Sequence, residues 1–336
     1  MVTLTHLNYA AALLHLVQAV VVGSLIPGLD NAHANEPSFF RGVYPVLKNL
    51  LLLRNTDAPT APCDLPLLRN ATAHAYTVID DRAVVAPHAF VVGHIDVRYL
   101  LVAFFALSSG FQFLEAFLLG EAYARGPRLL RFVEYAFSAS VMLLAMAVQV
   151  GITDIYTLCC MFALMVATNG LGLIAEALCF VATRPHHAQE LLPLWSWLAP
   201  HCLAWLTCLC AYAPLIDAYL ATNRCSDRHP PGYVDVIIFL EFGLFSCFGL
   251  VQLYALVQRS ALVQRSAHTV DDAHHYYYVR VWLVGGSRLP PQRTPDEAIT
   301  YGADLAYVTL SFTAKTLLAW LILAPILTLH PSELFV

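Results

Sequence analysis

Seven long apolar stretches, separated by polar segments, set the pattern of this sequence. Each stretch is continuously apolar over at least about 20 residues, the length that a helix needs to cross about 30 Å of hydrocarbon. A transmembrane β-barrel is excluded, because its strands alternate apolar and polar residues. We therefore predict an all-α membrane protein with seven transmembrane helices, at residues 5–27, 97–121, 127–151, 155–182, 192–220, 232–258 and 300–329.

Two of the polar segments are long, and we predict that both belong to one domain spanning residues 1–336. Segment 28–96 carries strand-like stretches at 76–79 and 83–86, so we expect a small folded cap with short β-strands. Segment 259–299 follows a tandem repeat, ALVQRS at 255–260 and again at 261–266. We expect the second copy to extend the sixth helix by a turn or more.

Composition supports the membrane assignment and excludes other classes. The chain is 59% hydrophobic and 12% charged, with a mean hydropathy of +0.63, whereas soluble domains average about 25% charged residues. A net charge of -5 with few basic residues gives no surface for nucleic acid, so membrane lipid is the expected surrounding. The histidines and cysteines lack the spacing of a metal site.

Basic residues near the span ends predict the orientation of the chain. The connections that follow spans two, four and six hold Arg125, Arg128, Arg131, Arg184, Arg259, Arg265, Arg280, Arg288 and Arg293. The opposite short connections hold only Arg224 and Arg228, and the long 28–96 segment does not count in this rule. We therefore expect a cytoplasmic N-terminus, an extracellular C-terminus, an extracellular 28–96 cap and a cytoplasmic 259–299 loop.

This orientation places three reactive positions on the oxidising side of the membrane. They are Cys63 and Cys225, which lie in predicted loops, and Asn70, which begins an Asn-Ala-Thr sequon. One disulfide and one glycosylation are therefore open to this chain.

Lys315 lies in the middle of the seventh apolar stretch and is one of only two lysines in the chain. A charged side chain at this depth costs about 3 kcal/mol even on the lowest scales, so it indicates function and requires a partner. A lysine amine in a dry pocket can also condense with an aldehyde. A structural lysine paired with a carboxylate is the alternative interpretation.

Glu134 in the third span is the candidate partner. It lies three residues after Arg131, so the two side chains share one helix face, and a surface ion pair between them is the alternative. Glu115, Glu176 and Glu241 add further carboxylates within spans two, four and six. Several membrane carboxylates often mark a proton path, although each could instead be a neutral packing residue.

Several of these stretches resemble the heliorhodopsins, seven-helix retinal proteins whose orientation is inverted relative to other microbial rhodopsins. The seventh span, LSFTAKTLLAW, resembles the family's retinal-lysine segment, and RFVEYAFSAS in the third resembles its counterion segment. LLHLVQAV in the first span is similar to the family's first helix, and PPGYVDVIIFLEFGLFSCFG in the sixth is similar in outline. The resemblance implies a rhodopsin-like bundle and, by analogy, a homodimer.

The resemblance also implies a cofactor and a site. Lys315 would bind all-trans retinal as a protonated Schiff base, with Glu134 as its counterion and Ser311 close to it. The remaining implied positions are the retinal neighbours Ser138, Met142 and Phe242, and a polar cluster of His15, Ser108 and Arg131. Gln112 departs from the family, which usually has a histidine there, so Glu115 becomes a candidate acceptor for the Schiff-base proton.

Two functions follow from this resemblance. The first is a photoreceptor in which isomerisation to 13-cis drives a slow photocycle and signals to an unidentified partner. The alternative is a light-gated proton channel or transporter that uses Glu115, Glu176 and Glu241. An enzyme is not expected, because the sequence contains no HExxH, GxSxG or comparable motif.

Overall fold

Seven long helices form the body of the protein. The computed structural model describes residues 4–32, 43–50, 77–79, 82–84, 88–118, 128–182, 195–225, 232–268 and 295–328. Its helices are α1 (Leu4–Ala32), α2 (Val97–Leu118), α3 (Leu129–Gln149), α4 (Ile155–Ala182), α5 (Trp195–Cys225), α6 (Gly232–His268) and α7 (Pro295–Thr328). Each contains a segment that is long and apolar enough to cross a membrane. The predicted multi-pass, all-α membrane protein is therefore confirmed.

The helix bounds agree with the apolar pattern except where helices continue beyond it. Helix α4 spans the predicted 155–182, whereas α6 continues past its apolar stretch to His268. Both copies of ALVQRS therefore lie in α6, as the prediction of an extended sixth helix requires.

The turn between α3 and α4 shows how local sequence fixes two helix ends. Gly151 has φ of 90°, a left-handed conformation that favours glycine. Its N–H donates to the Val148 carbonyl and that of Ile152 donates to the Ala147 carbonyl, which is the Schellman pattern of helix termination. Asp154 then accepts a 2.8 Å hydrogen bond from the Thr157 N–H and begins α4.

The helices form a closed ring in chain order. Each helix packs against the next one along the chain, and α7 returns to pack against α1. Contacts between opposite ends show that neighbours are antiparallel: Tyr9 of α1 meets Phe113 of α2, and Tyr219 of α5 meets Asp235 of α6. The 28–96 segment joins α1 to α2, and we call the end of the bundle that it joins the cap end.

Four short strands form the described part of the cap. β1 (Val43–Leu50) pairs antiparallel with β4 (His88–Asp96), and β2 (Thr77–Ile79) pairs with β3 (Arg82–Val84). The expected strands at 76–79 and 83–86 correspond to β2 and β3. Cys63, Asn70 and the Cys225 side chain lie outside the described residues, so the disulfide and the glycosylation stay predictions.

The apolar core lies in the cap half of the bundle. It is built by the late turns of α1, α3, α5 and α7 and by the early turns of α2, α4 and α6. Its largest fully buried side chains include Phe104, Phe105, Leu143, Met146, Met161, Met165, Tyr212, Leu215, Ile237, Ile238 and Leu318. Two buried charged side chains of the helices lie in the cap half, Glu241 in the core and Arg98 in an ion pair with Asp96. The others lie beside or beyond the core, toward the opposite end.

Candidate functional site

Lys315 and Glu134 form a buried ion pair at the boundary between the apolar core and the polar half. The Lys315 amine donates to Glu134 Oε1, which joins α7 to α3. Lys315 is 4% exposed and Glu134 is 2% exposed. The predicted pairing of these two residues is therefore present in the structure. Because each charge lies out of contact with solvent, each depends on the other for compensation.

Aromatic rings and two hydroxyl groups surround the pair. The Lys315 nitrogen lies 5.3 Å from the Tyr135 ring centroid and 5.8 Å from that of Phe104, within the range of a cation–π attraction. Ser108 and Ser311 are fully buried, Ser108 beside Glu134 and Ser311 beside Tyr135. The sequence predicts Ser108 in a polar cluster and Ser311 close to Lys315, and the structure brings both side chains near the ion pair.

His15 extends this cluster to α1. Its Nδ1 lies 3.0 Å from Gln18 Oε1, and Gln18 donates to the Thr316 hydroxyl at 3.2 Å. The His15 ring stacks on Phe105, with 5.8 Å between the ring centroids. A hydrogen-bonded chain therefore connects α1 to the residue that follows Lys315.

Arg131 belongs to a separate network at the end opposite the cap. Its Nη1 donates to Asp304 at 2.6 Å and its Nη2 to Glu176 at 3.2 Å. Arg128 also donates to Asp304, at 2.5 Å through Nη2, and Arg259 lies 3.8 Å from Glu176. The structure thus pairs Arg131 with Asp304 and Glu176 instead of forming the surface pair with Glu134. The network connects α3, α4, α6 and α7.

This network gives Glu176 ion-pair partners that the sequence does not predict. Sequence reasoning places Glu176 among the proton-path carboxylates, yet two arginines hold it in ion pairs. Asp304, Arg128 and Arg259 complete the network and are not singled out as site residues from the sequence. The sequence feature that could have identified these three residues is a charged side chain within or beside an apolar stretch. Such a charge requires an opposite charge on a facing helix.

A small polar cavity lies between this network and the ion pair. Gln112 and Glu115 line it together with Asn8, Arg131 and Glu134. The Gln112 side-chain oxygen is buried and has no hydrogen-bond partner among the described residues. Gln112 stands where the family resemblance predicts a histidine, and Glu115 lines the same cavity. This is the position expected of a substitute proton acceptor.

A second, larger cavity crosses the bundle from Lys315. The space between atoms there, open solvent included, is about 820 Å³, and its lining is mostly apolar. Lys315, Ser311 and Ser138 line it, as does Met142 near the core. Helices α3, α4, α5, α6 and α7 all contribute to its wall.

Phe242 and Glu241 line neither cavity and lie in the cap half of the bundle. Phe242 packs edge-to-face on Tyr212, with 5.4 Å between ring centroids, whereas Phe245 and Phe248 supply the α6 wall of the large cavity. Glu241 is 0% exposed in the apolar core, and neither of its carboxylate oxygens has a hydrogen-bond partner among the described residues. Phe242 is therefore a core residue here, and Glu241 is separate from the Lys315 cluster.

A family model of heliorhodopsin matches residues 67–262 of this chain, more than half of its length. The chain belongs to the heliorhodopsin family. The match runs from the cap into the last turns of α6 and therefore does not include Lys315. A search of curated proteins found no match.

Membership of the heliorhodopsins implies a retinal chromophore, and the large cavity fits one. Ligand pockets typically have mostly apolar walls with a few placed polar groups. The heliorhodopsin cavity here has such a wall, and Lys315 contributes to it. Since the amine is paired with a buried carboxylate, the charge that remains on its nitrogen after bonding an aldehyde would be compensated.

Proposed function

We propose that this heliorhodopsin is a light-activated photoreceptor in which Lys315 carries retinal and Glu134 is the counterion. The observation that carries the proposal is the buried Lys315–Glu134 pair in contact with a large apolar cavity. When bound, retinal supplies an aldehyde that bonds to an amine and a polyene that light converts from all-trans to 13-cis.

The protein's own contribution is to hold the charge and to connect it to the helices. Glu134 compensates the positive nitrogen of Lys315, and the apolar wall excludes water from their attraction. Gln18 of α1 donates a hydrogen bond to Thr316, the residue after Lys315. A displacement of Lys315 would therefore also move α1. On α7, Asp304 pairs with Arg131 of α3 and with Arg128, the residue that precedes α3. A change of chromophore shape would thus bias the packing of three helices, which supports a signalling function.

Replacing Lys315 by alanine tests the assignment. Lys315→Ala removes the amine that bonds the aldehyde, so we expect no visible absorption band after retinal is added to the purified chain. Lys48→Ala is the matched control, because Lys48 is the other lysine of the chain and lies in cap strand β1. Its absorption band should be unchanged, and a coloured Lys315→Ala protein would sink the proposal.

A second candidate function, a light-gated proton conductor, rests on Glu241. A fully buried carboxyl without a hydrogen-bond partner is costly, and such groups within membranes often mark ion or proton routes. Glu115, beside the counterion in the small cavity, would be a further station. Glu176 supports this candidate less, because it is already held by Arg131 and Arg259.

We further propose a cytoplasmic N-terminus, with the cap on the extracellular side. Arg128, Arg131 and Arg259 contribute less to this inference than the sequence suggests, because they are buried in ion pairs inside the bundle. The six remaining arginines still outnumber the two on the opposite side, Arg224 and Arg228. Protection of a C-terminal tag from protease added outside intact cells would contradict this orientation.

A further inference from the structure

Tyr135 lies between the two cavities. Of the residues that the structure describes, it is the one that lines both of them. Its neighbour in the chain, Glu134, lines the small polar cavity and not the large one, whereas Lys315 lines the large apolar cavity and not the small one. The Lys315–Glu134 ion pair therefore crosses the boundary between a polar and an apolar space, and Tyr135 stands beside the pair at that boundary.

The side chain of Tyr135 occupies this boundary. On the side of the large cavity, the centroid of its ring lies 5.3 Å from the Lys315 nitrogen and 5.2 Å from the centroid of the Phe248 ring. On the other side, its hydroxyl lies within electrostatic range of Arg131 and Glu115, which line the small cavity. The phenol ring therefore lies between the amine and the small cavity.

Contacts with α6 and α7 hold this ring in place. The Tyr135 hydroxyl donates to the Tyr307 carbonyl of α7 at 3.4 Å, and Ser311, one turn further along α7, lies beside it. The ring meets that of Phe248 of α6 edge-to-face, with an angle of 66° between the two planes. Since Tyr135 itself belongs to α3, displacing its ring would require breaking contacts with two other helices.

The small cavity is the side of this boundary that suits water. Asn8 and Gln112 line it, and the buried side-chain oxygens of both lack a hydrogen-bond partner among the described residues. Buried acceptors in a polar cavity typically bind water. The large cavity has a mostly apolar wall. We therefore expect water on one side of Tyr135, and the carbon of an aldehyde bound to Lys315 on the other.

We propose that Tyr135 is a water barrier that protects the bond between Lys315 and its aldehyde from hydrolysis. In hydrolysis, water adds to the carbon of that bond, the bond from this carbon to the Lys315 nitrogen breaks, and the free aldehyde and the amine are returned. The proposal rests on the proposed function, since Lys315 must carry the aldehyde. Glu134 still bonds the nitrogen from the side of the small cavity, so the barrier excludes water and leaves a route for protons.

Tyr135→Ala should make the pigment lose its chromophore faster in the dark. Hydroxylamine is an aqueous nucleophile little larger than water. It attacks the same carbon, takes the aldehyde away as an oxime and returns the Lys315 amine. The purified full-length pigment is kept in the dark with hydroxylamine, and the loss of the visible absorption band is followed. We expect at least about tenfold faster loss in Tyr135→Ala, which corresponds to about 1.4 kcal/mol in the barrier.

Two variants separate a barrier from a general loosening of the site. Tyr135→Phe keeps the ring and loses only the hydroxyl, so its rate should stay close to that of the unmodified pigment. Phe104→Ala removes a ring whose centroid lies 5.8 Å from the Lys315 nitrogen and which lines the large cavity but not the small one, so its rate should stay well below that of Tyr135→Ala. Equal rates in the two alanine variants, or no acceleration in Tyr135→Ala, would overturn the proposal. Tyr135→Leu also removes the ring and replaces Tyr135→Ala if that variant does not fold.

A measurement without chromophore tests the barrier independently of the photoreceptor. The chromophore-free chain is exposed briefly to formaldehyde and cyanoborohydride, which methylate accessible amines, and peptide mass spectrometry compares Lys315 with Lys48, the other lysine of the chain. The ratio of Lys315 to Lys48 labelling should rise in Tyr135→Ala and stay unchanged in Phe104→Ala. An unchanged ratio in Tyr135→Ala would contradict the barrier. If the ratio rises but the unmodified chain forms no pigment with retinal, the photoreceptor proposal fails while the barrier at Lys315 remains.

Discussion

The Lys315–Glu134 pair holds two opposite charges at a depth where neither would be stable alone. Removing one partner of a buried pair typically costs about 3–5 kcal/mol, because the other charge then lacks compensation. In a pigment, the same negative charge stabilises the ground state, in which the positive charge lies on the lysine nitrogen. Excitation moves that charge toward the other end of the chromophore, where Glu134 stabilises it less.

Glu134→Gln should therefore shift the absorption of the pigment to longer wavelength. At 4 Å and an effective dielectric constant of about 20, two unit charges attract by about 4 kcal/mol, so the loss of Glu134 should move the band visibly. Absorption spectra of the purified pigment at one pH measure the shift. An unshifted band would mean that a different group compensates the charge.

Glu115→Gln is the matched control for that spectrum. Glu115 lines the same small cavity as Glu134 but is not the carboxylate bonded to Lys315. We expect a smaller shift, because the interaction falls with distance from the lysine nitrogen. A larger shift than that of Glu134→Gln would mean that Glu115, and not Glu134, is the counterion.

At the residue scale, the sequence identifies the important charged residues more reliably than it identifies their ion-pair partners. Lys315 and Glu134 are identifiable because burying a charge is costly wherever the chain places it. The partner of Arg131 is not, since helical spacing shows which residues share a face and says nothing about the opposing helix. Phe242 lies on the same face of α6 as Phe245 and Gly249, but a turn closer to the cap, within the packed core.

Among the elements, α6 is constrained by a single close approach. The Trp205 ring of α5 occupies the space into which a side chain at Gly249 would project. Gly249→Ala should displace Trp205 and narrow the large cavity, and overpacking of this kind typically costs about 1–3 kcal/mol. We expect a lower thermal unfolding temperature and less pigment formed per protein.

Gly243→Ala provides the comparison within the same helix. A Cβ at Gly243 would meet no atom within 4 Å, and alanine is favoured over glycine in a helix by about 1 kcal/mol. The thermal unfolding temperature should be equal or higher and the absorption band unchanged. Equal behaviour of the two variants would show that the Trp205 contact does not constrain the pocket.

The elements themselves follow from the sequence to different degrees. The transmembrane helices are predictable because a bilayer requires long apolar stretches with internally bonded backbone. Strands β1 and β4 are harder, since 37 positions separate them along the chain and no local pattern specifies the register of their pairing. β1 also contains Pro45, which suits a strand with a single described neighbour, β4.

Across the whole molecule, the two halves of the bundle differ in polarity. The cap half is closely packed and apolar, whereas the opposite half contains the small polar cavity and the arginine–carboxylate network. A proton crossing the membrane would have to traverse the apolar half, where Glu241 is the buried carboxyl. The resting structure therefore favours a sensor, and conduction would require this half to open.

Recordings from illuminated cells separate the two functions. As a sensor, the protein should give no steady photocurrent at any voltage. A conductor would give a current that reverses with the proton gradient and is lost in Glu241→Gln. A steady current of that kind would overturn our preference for the sensor, and Glu134→Gln would then show whether the current depends on the counterion.

The repeated hexamer at the end of α6 has a practical consequence. Six residues advance a helix by about 9 Å and turn it by about 600°, so the second copy does not present its arginine in the direction of the first. Arg259 of the first copy pairs with Glu176, while the second copy lies mostly beyond the membrane-spanning segment, which ends at Ala261. The second copy thus extends α6 beyond the ion pair that Arg259 forms. A fluorescent reporter attached after His268, at the end of this extension, would report on the movement of α6.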